Sequence, residues 1–135
     1  MMSKIMRVVS GIQPTGNLHL GNYLGAIVQW VKLQGQAECY FFLADLHAVT
    51  IYGEPELRRS QVREMTAALL ACGLDAERVV LFNQARVPAH AELAWLLNCT
   101  ARMGWLNRMT QFKDKAGKNR EASSIGLYAY PVLQA

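Results

Sequence analysis

Three short stretches of this chain gather residue types that do chemistry. The first runs Gly11-Ile12-Gln13-Pro14-Thr15-Gly16-Asn17-Leu18-His19-Leu20-Gly21-Asn22. Its glycines let a backbone come close to a ligand. A helix that starts near His19 to Asn22 would offer free amides and a positive dipole end to an anion. Neither common phosphate loop is present, since there is no G-x-x-x-x-G-K-[ST] and Gly16 to Gly21 does not spell G-x-G-x-x-G. A glycine-lined turn of this kind has little structural reason to carry His and Asn. The second stretch, Asp45-Leu46-His47, stands at the end of an apolar run. The third is basic. Residues 1–100 hold eight basic and eight acidic side chains, whereas 101–135 hold Arg102, Arg108, Lys113, Lys115, Lys118 and Arg120 against Asp114 and Glu121, so the whole excess of +4 lies in the last quarter. Such a cluster is either a solvated helix face or an anion site for the phosphates of a nucleotide or nucleic acid.

The elements that must position these residues follow from periodicity. Ile5 to Ile12 reads as a strand running into the glycine-bearing turn, and from His19 to Gln34 the residues Leu20, Leu24, Ile27, Val28 and Val31 recur at helical spacing until Gly35. Glu38 to Ala44 is a continuous apolar and aromatic run, which predicts a strand buried on both faces. Pro55 and its flanking acids open a helix that Leu57 to Cys72 carries to Gly73, and Arg78 to Asn83 predicts a third strand. Pro88 opens a further helix with Leu93, Leu96, Leu97 and Thr100 on one stripe, and a short helix is expected around Leu106 to Phe112, before the polar stretch Lys113 to Ser124. Three alternations of strand and helix imply an α/β fold with a parallel sheet and right-handed crossovers. Ligands of such sheets bind beyond the carboxyl ends of the strands, which directs attention to Gly11–Gly21, Asp45–Thr50 and Asn83–Pro88.

Composition sets the outer limits. Of 135 residues 52% are hydrophobic and 18% charged, which excludes a disordered or low-complexity chain. No apolar run reaches a membrane-spanning length and Arg7 interrupts the opening segment, so the chain reads as soluble, unexported and cytoplasmic. Cys39, Cys72 and Cys99 read as buried thiols of a reducing compartment, and Trp30, Trp95, Trp105, Met65, Met103 and Met109 as core or helix-packing residues. His19, His47 and His90 stand far apart and no C-x-x-C occurs, so no metal site is read. The final Tyr128-Ala129-Tyr130-Pro131-Val132-Leu133-Gln134-Ala135 stops within an apolar pattern with no last strand to complete a sheet, as expected of an amino-terminal piece of a longer protein.

Pro14-Thr15-Gly16-Asn17-Leu18-His19-Leu20-Gly21-Asn22 resembles the HIGH signature of class I aminoacyl-tRNA synthetases, in the form used by the tryptophan and tyrosine enzymes. The flanking Ser10-Gly11-Ile12-Gln13 and Tyr23-Leu24-Gly25-Ala26 extend the match. The blocks Leu43 to Thr50, Val87 to His90, Arg108 to Lys113 and Tyr130 to Ala135 are similar to further blocks of the bacterial tryptophan branch, in the same order and at nearly the same spacing. Asn22 in place of the second histidine and Arg108-Met109-Thr110-Gln111-Phe112 favour that branch. Tyr130-x-x-x-Gln134 instead matches the tyrosine enzymes and the eukaryotic tryptophan branch, where the pair holds the substrate's amino group.

The resemblance implies a Rossmann-like parallel sheet with flanking helices, residues 1–135 being the amino-terminal part of a catalytic domain that ends before the KMSKS loop and the anticodon-binding domain. It implies two steps: attack of the tryptophan carboxylate on the α-phosphate of Mg-bound ATP, then transfer of the aminoacyl group to tRNA-Trp. Gln13, Pro14, Thr15, Gly21, Asn22 and Lys113 match ATP-contact positions, and His19, Asn22 and Lys115 match positions at the reacting phosphates. Val9, Gly11, His47, Tyr130 and Gln134 match the amino-acid pocket. ATP and Mg2+ enter as substrate, no metal is held by the protein, no membrane is involved, and the whole protein is expected to be a homodimer. The residues leave open a tyrosine enzyme, and a nucleic-acid-binding module on a vestigial nucleotide fold.

Overall fold

The computed structural model describes residues 6–16, 18–110, 112 and 123–135. Three parallel strands, β1 (Arg7–Ile12), β2 (Glu38–Leu43) and β3 (Val79–Asn83), form a sheet in the order β1-β2-β3. Arg7 stands opposite Glu38 and Ile12 opposite Leu43, while Cys39 and Leu43 face Val79 and Asn83 on the other side. Helices fill both crossovers, as the alternating sequence pattern requires.

Strand β2 alternates strictly, with Cys39, Phe41 and Leu43 at 2%, 0% and 1% exposure and the residues between them half-buried. The expectation of burial on both faces is therefore wrong. The buried face is covered by the first two crossovers, which bring Ile27, Trp30, Met65 and Leu69 onto it. There the Trp30 ring stacks on Phe41 with centroids 4.5 Å apart and planes 8° apart. Burying a ring of this size contributes up to about 3 kcal/mol. The other face carries Val9, Gly11, Phe42, Val80 and Phe82 and is only partly covered.

The first crossover is one helix in sequence but three pieces in space: α1 (Leu20–Asn22), a π-helical turn Tyr23–Ile27, and α2 (Val28–Leu33). A π turn inserts one residue into the helical repeat, so the residues before it rotate off the face that follows. Leu20 and Leu24 are accordingly exposed, while Ile27 and Trp30 are buried. The second crossover holds α3 (Asp45–Ala48) and α4 (Pro55–Ala71), the latter with Pro at its first turn and Gly73 at φ 102 just past its end.

After β3 come a 3-10 turn (Gln84–Arg86), α5 (Ala89–Asn98), α6 (Met103–Leu106) and α7 (Ile125–Gln134). The expected leucine stripe of α5 is not its inner face: Ala94 is buried, whereas Leu93 and Leu96 are exposed, because the helix seats its small residues against α7. Trp95, Trp105, Met103 and Met109 also lie at the surface, and of the six only Trp30 and Met65 join the core as expected. Cys39 is buried, Cys72 half-buried and Cys99 exposed, which corrects the expectation of three buried thiols. The expected helix around Leu106 to Phe112 is broken: α6 ends at Leu106, Asn107 to Met109 leave the helix, and Thr110 and Phe112 are helical again, with Gln111 outside the described residues.

Helix α7 was not foreseen from the sequence. Ser124 caps it, its Oγ accepting from the Leu127 amide at 3.1 Å and donating to the Thr50 carbonyl at 2.9 Å. The Tyr128 hydroxyl reaches the Met103 carbonyl and Asn107 Oδ1, each at 3.0 Å. These bonds fasten α7 across the open face of the sheet.

Candidate active site

Strand β1 runs out at Ile12, whose carbonyl still accepts from Ala44 at 2.8 Å, and the chain turns over Gln13 to Gly16. Gly16 has φ 72, a conformation that a side chain would strain. At the helix start His19 and Asn22 form a capping box: Nδ1 of His19 accepts from the Asn22 amide at 3.4 Å, and Oδ1 of Asn22 accepts from the His19 amide at 3.3 Å. The box is a structural reason for both residues that sequence reading missed. It engages one atom of each side chain, so the imidazole Nε2 and the Asn22 amide nitrogen are the atoms left for a ligand. Gly21 leaves room for the box, since a Cβ there would stand 3.1 Å from the His19 ring.

Helix α3 begins at the carboxyl end of β2 and divides two cavities between its residues. His47, 7% exposed, turns to one side with its ring edge-on to Tyr130 at 6.2 Å and 70°, and its carbonyl accepts from Thr50 Oγ1 at 2.8 Å. Asp45 turns to the other, where its Oδ1 accepts from the amides of Leu46 and Ala85 at 3.0 and 2.9 Å. One carboxylate oxygen thus ties the end of β2 to the turn after β3.

On the His47 side lies a cavity of 250 Å³ lined by Gly11, Gln13, Phe42, Ala44, His47, Thr50, Leu127, Tyr130 and Gln134. Four of the five expected amino-acid-pocket residues meet here, together with Gln13. Tyr130 and Gln134 come from the same edge of α7, one turn apart. Val9 is the fifth and does not join them. It lines an adjoining cavity of 260 Å³ that shares Phe42 and Gln134 with the first and adds Gln84, His90, Leu97 and Val132. The buried Gln84 leaves its Oε1 without a partner among the described residues. Separately the two spaces fall below the roughly 300 Å³ usual for a small-molecule pocket, and together they exceed it.

Phe42, between the two cavities, went unnoticed in the sequence. Its signal was indirect: Gly11 is its register partner, and a Cβ on Gly11 would fall 2.5 Å from the Phe42 ring. The expected ATP-contact residues are spread along the rim. Gln13 faces the first cavity, Pro14 a third cavity on the Asp45 side, and Thr15, Gly21 and His19 are exposed. Lys113 and Lys115 lie outside the described residues. Among the described residues no group of three His, Cys, Asp or Glu could hold a metal ion, and no helix is long and apolar enough to cross a membrane.

The family of tRNA synthetases class I (W and Y) matches residues 2–135. A tryptophan--tRNA ligase of Brucella melitensis is 59% identical over 128 residues, covering 95% of this chain and 36% of the relative. The chain therefore spans little more than a third of the length of the curated relatives it matches. Among solved structures, the tryptophanyl-tRNA synthetase of Mycoplasma pneumoniae superposes with a TM-score of 0.89 at 37% identity, over 96% of this chain and 38% of that one. That of Campylobacter jejuni, complexed with ADP and tryptophan, gives 0.87 at 40% identity, over 96% and 40%.

Proposed function

The chain belongs to the class I tRNA synthetases of the tryptophan and tyrosine group, and from that premise we propose that the whole protein is a tryptophan--tRNA ligase. Residues 1–135 are the amino-terminal part of its nucleotide-binding catalytic domain. The observation that carries this reading is the convergence of Gly11, Gln13, His47, Tyr130 and Gln134 on one cavity beside the HIGH-like turn.

The reaction asks for no protein nucleophile, because the tryptophan carboxylate itself attacks the α-phosphate of ATP and expels pyrophosphate. What the chain supplies is position and charge stabilisation. Tyr130 and Gln134 hold the α-ammonium group, while the indole ring occupies the lobe lined by Val9, Phe42 and Val132. Gln13, Pro14, Thr15 and Gly21 carry the nucleotide along the turn. His19 and Asn22, fixed by their mutual box, present Nε2 and the amide nitrogen to the phosphates without reorganising when charge develops. Lys113 and Lys115 approach the pyrophosphate oxygens, Lys115 acting chiefly in the transition state. Mg2+ arrives on the ATP phosphates. The aminoacyl group then passes to tRNA-Trp in a cytoplasmic homodimer.

Amino-acid-dependent exchange of pyrophosphate into ATP tests this in the whole protein. Exchange with tryptophan and none with tyrosine is the expected result. Exchange driven by tyrosine would assign the chain to the tyrosine enzymes, and exchange with neither would leave the fold without this activity.

A further inference from the structure

Another cavity is larger than the one that gathers the amino-acid-pocket residues. It measures 510 Å³ and lies on the Asp45 side of α3, and its wall includes Arg58, Arg59, Arg63 and Arg86. Among the described residues of the basic tail, Arg102 and Arg108 do not line it. The arginines that do line it belong to the charge-balanced first hundred residues, and the fold concentrates them: three come from the first half of α4 and one from the turn after β3.

Their states differ. Arg58 is spent on structure, donating to the carbonyls of Ala48 and Ile51. Arg59 pairs with Glu56, whose carboxyl is held below its ordinary value by that bond first and also by the charge of Arg63. The side chains of Arg63 and Arg86 make no hydrogen bond or ion pair among the described residues, and both residues are exposed. Among the described residues Asp45 is the one carboxylate on the wall, and its Oδ1 is already engaged by two amides. Between the guanidinium groups the floor is apolar, with Leu46, Val49 and Val62.

We propose that this cleft binds the sugar-phosphate backbone of RNA, with Arg63 and Arg86 as its phosphate contacts. A single small anion is a poor fit. Each guanidinium is solvated, so one contact in water is worth little, whereas a polyanion adds several and gains from counterion release. Placement gives the direction of the strand. Pro14 lines this cleft and Gln13 lines the amino-acid cavity, so the two spaces are separated by the width of one turn at the same carboxyl edge of the sheet. A strand lying over Arg86 and Arg63 has its end within reach of the HIGH-like turn. An apolar floor between planar cations also suits the faces of unpaired bases. The inference rests on the reading of the whole protein as a tRNA ligase, and it names where the RNA substrate is held.

The test uses the whole protein and the double variant Arg63→Gln/Arg86→Gln, with Arg63→Lys/Arg86→Lys as a charge-keeping control. Binding of tRNA is measured across a salt series, alongside tryptophan-dependent pyrophosphate exchange. The expected result is a loss of roughly tenfold in tRNA affinity at moderate salt and a salt slope shallower by about 1.5 to 2 for two lost contacts. Exchange stays unchanged, and the lysine variant retains most of the slope. An unchanged tRNA affinity and slope in the glutamine variant overturns the proposal. So does a parallel fall in pyrophosphate exchange, which would give the cleft to the nucleotide. If the unaltered protein neither exchanges pyrophosphate nor binds tRNA, the ligase reading fails and this inference with it. If it does both and only the variants are indifferent, the cleft assignment alone is wrong.

Discussion

The two faces of the sheet are built from the same three strands and differ in nearly everything else. On one, Cys39, Phe41, Leu43 and Val79 meet Trp30, Ile27, Met65 and Leu69 with almost no exposed surface. On the other, Val9 is 62% and Val80 48% exposed, Gly11 has no side chain, and α5 and α7 leave cavities beneath them. Stability is concentrated on the first face, and the proposed recognition of the amino acid on the second. A period of two in the strands makes this division possible, because neighbouring residues can be selected for opposite purposes.

The strongest way to break the comparison is to open the packed face. Phe41→Ala removes a ring with no exposed surface that stacks on Trp30. A loss of about 3 to 5 kcal/mol is expected in urea denaturation, enough to unfold much of the chain at ordinary temperature. Val80→Ala, one strand over and on the other face, should cost less than about 1 kcal/mol. Similar losses at both positions would show that the two faces carry stability equally.

Gly11→Ala tests the opposite property, that the open face sacrifices packing for shape. The added methyl would lie 2.5 Å from the Phe42 ring, which must then swing into the shared wall of the two cavities. A stability loss of about 1 to 3 kcal/mol is expected, with tryptophan affinity falling further. Phe42→Leu in the same chain should recover stability, and the coupling from the double-mutant cycle reads the clash directly. Additive effects would mean the two residues do not crowd each other.

How much of this was legible in the sequence follows the same division. The strands, their parallel direction and the helix limits at Pro55 and Gly73 were readable, because each follows from patterns of residues close in the chain. The membership of the first cavity came from motif resemblance, which placed Gly11, His47, Tyr130 and Gln134 together although no local pattern joins them. What failed was the part that depends on how far each face is covered. The β2 run looked buried on both sides because hydrophobicity does not say what packs against it, and the α5 stripe misled because small Ala94 faces inward. Pro131 hid α7, since a proline inside a helix reads as a break. The arginine cleft was invisible for a different reason: Arg63 and Arg86 are far apart in sequence, and their acidic neighbours balance them in any charge count.

The capping box separates two roles that sequence reading treated as one. His19→Ala removes the acceptor for the Asn22 amide and the imidazole together, so about 0.5 to 2 kcal/mol of stability should go with the exchange activity. His19→Asn keeps a good cap. Its stability should stay near that of the unaltered protein while pyrophosphate exchange falls well beyond twofold. Exchange within twofold of normal in both variants would confine His19 to the cap.

The smallest effect belongs to the amino-terminal edge of the sheet, far from the cavities. There the Tyr40 hydroxyl donates to Glu38 Oε1, while Arg7 pairs with Glu38 Oε2 at 3.0 Å and lies over the Tyr40 ring at 5.6 Å. The Tyr40 bond first, and Arg7 second, hold the Glu38 carboxyl below its ordinary 4.5, and the bond to Glu38 pushes the Tyr40 phenol above its ordinary 10.0. The two signs bound one interaction from both sides. A lowered carboxyl stabilises the fold above its unfolded value and loses that contribution as pH falls through the folded one. A raised phenol stabilises it below its unfolded value and loses that contribution as pH rises through the folded one. Tyr40→Phe should therefore melt slightly below the unaltered chain from about pH 6 to 9, and the difference should shrink towards both extremes. Arg7 is exposed and Glu38 and Tyr40 are only half-buried, so the difference is small and salt should diminish the share that comes from Arg7. A difference that persists unchanged into acid would assign it to the packing of the ring against Arg7 rather than to the hydroxyl bond.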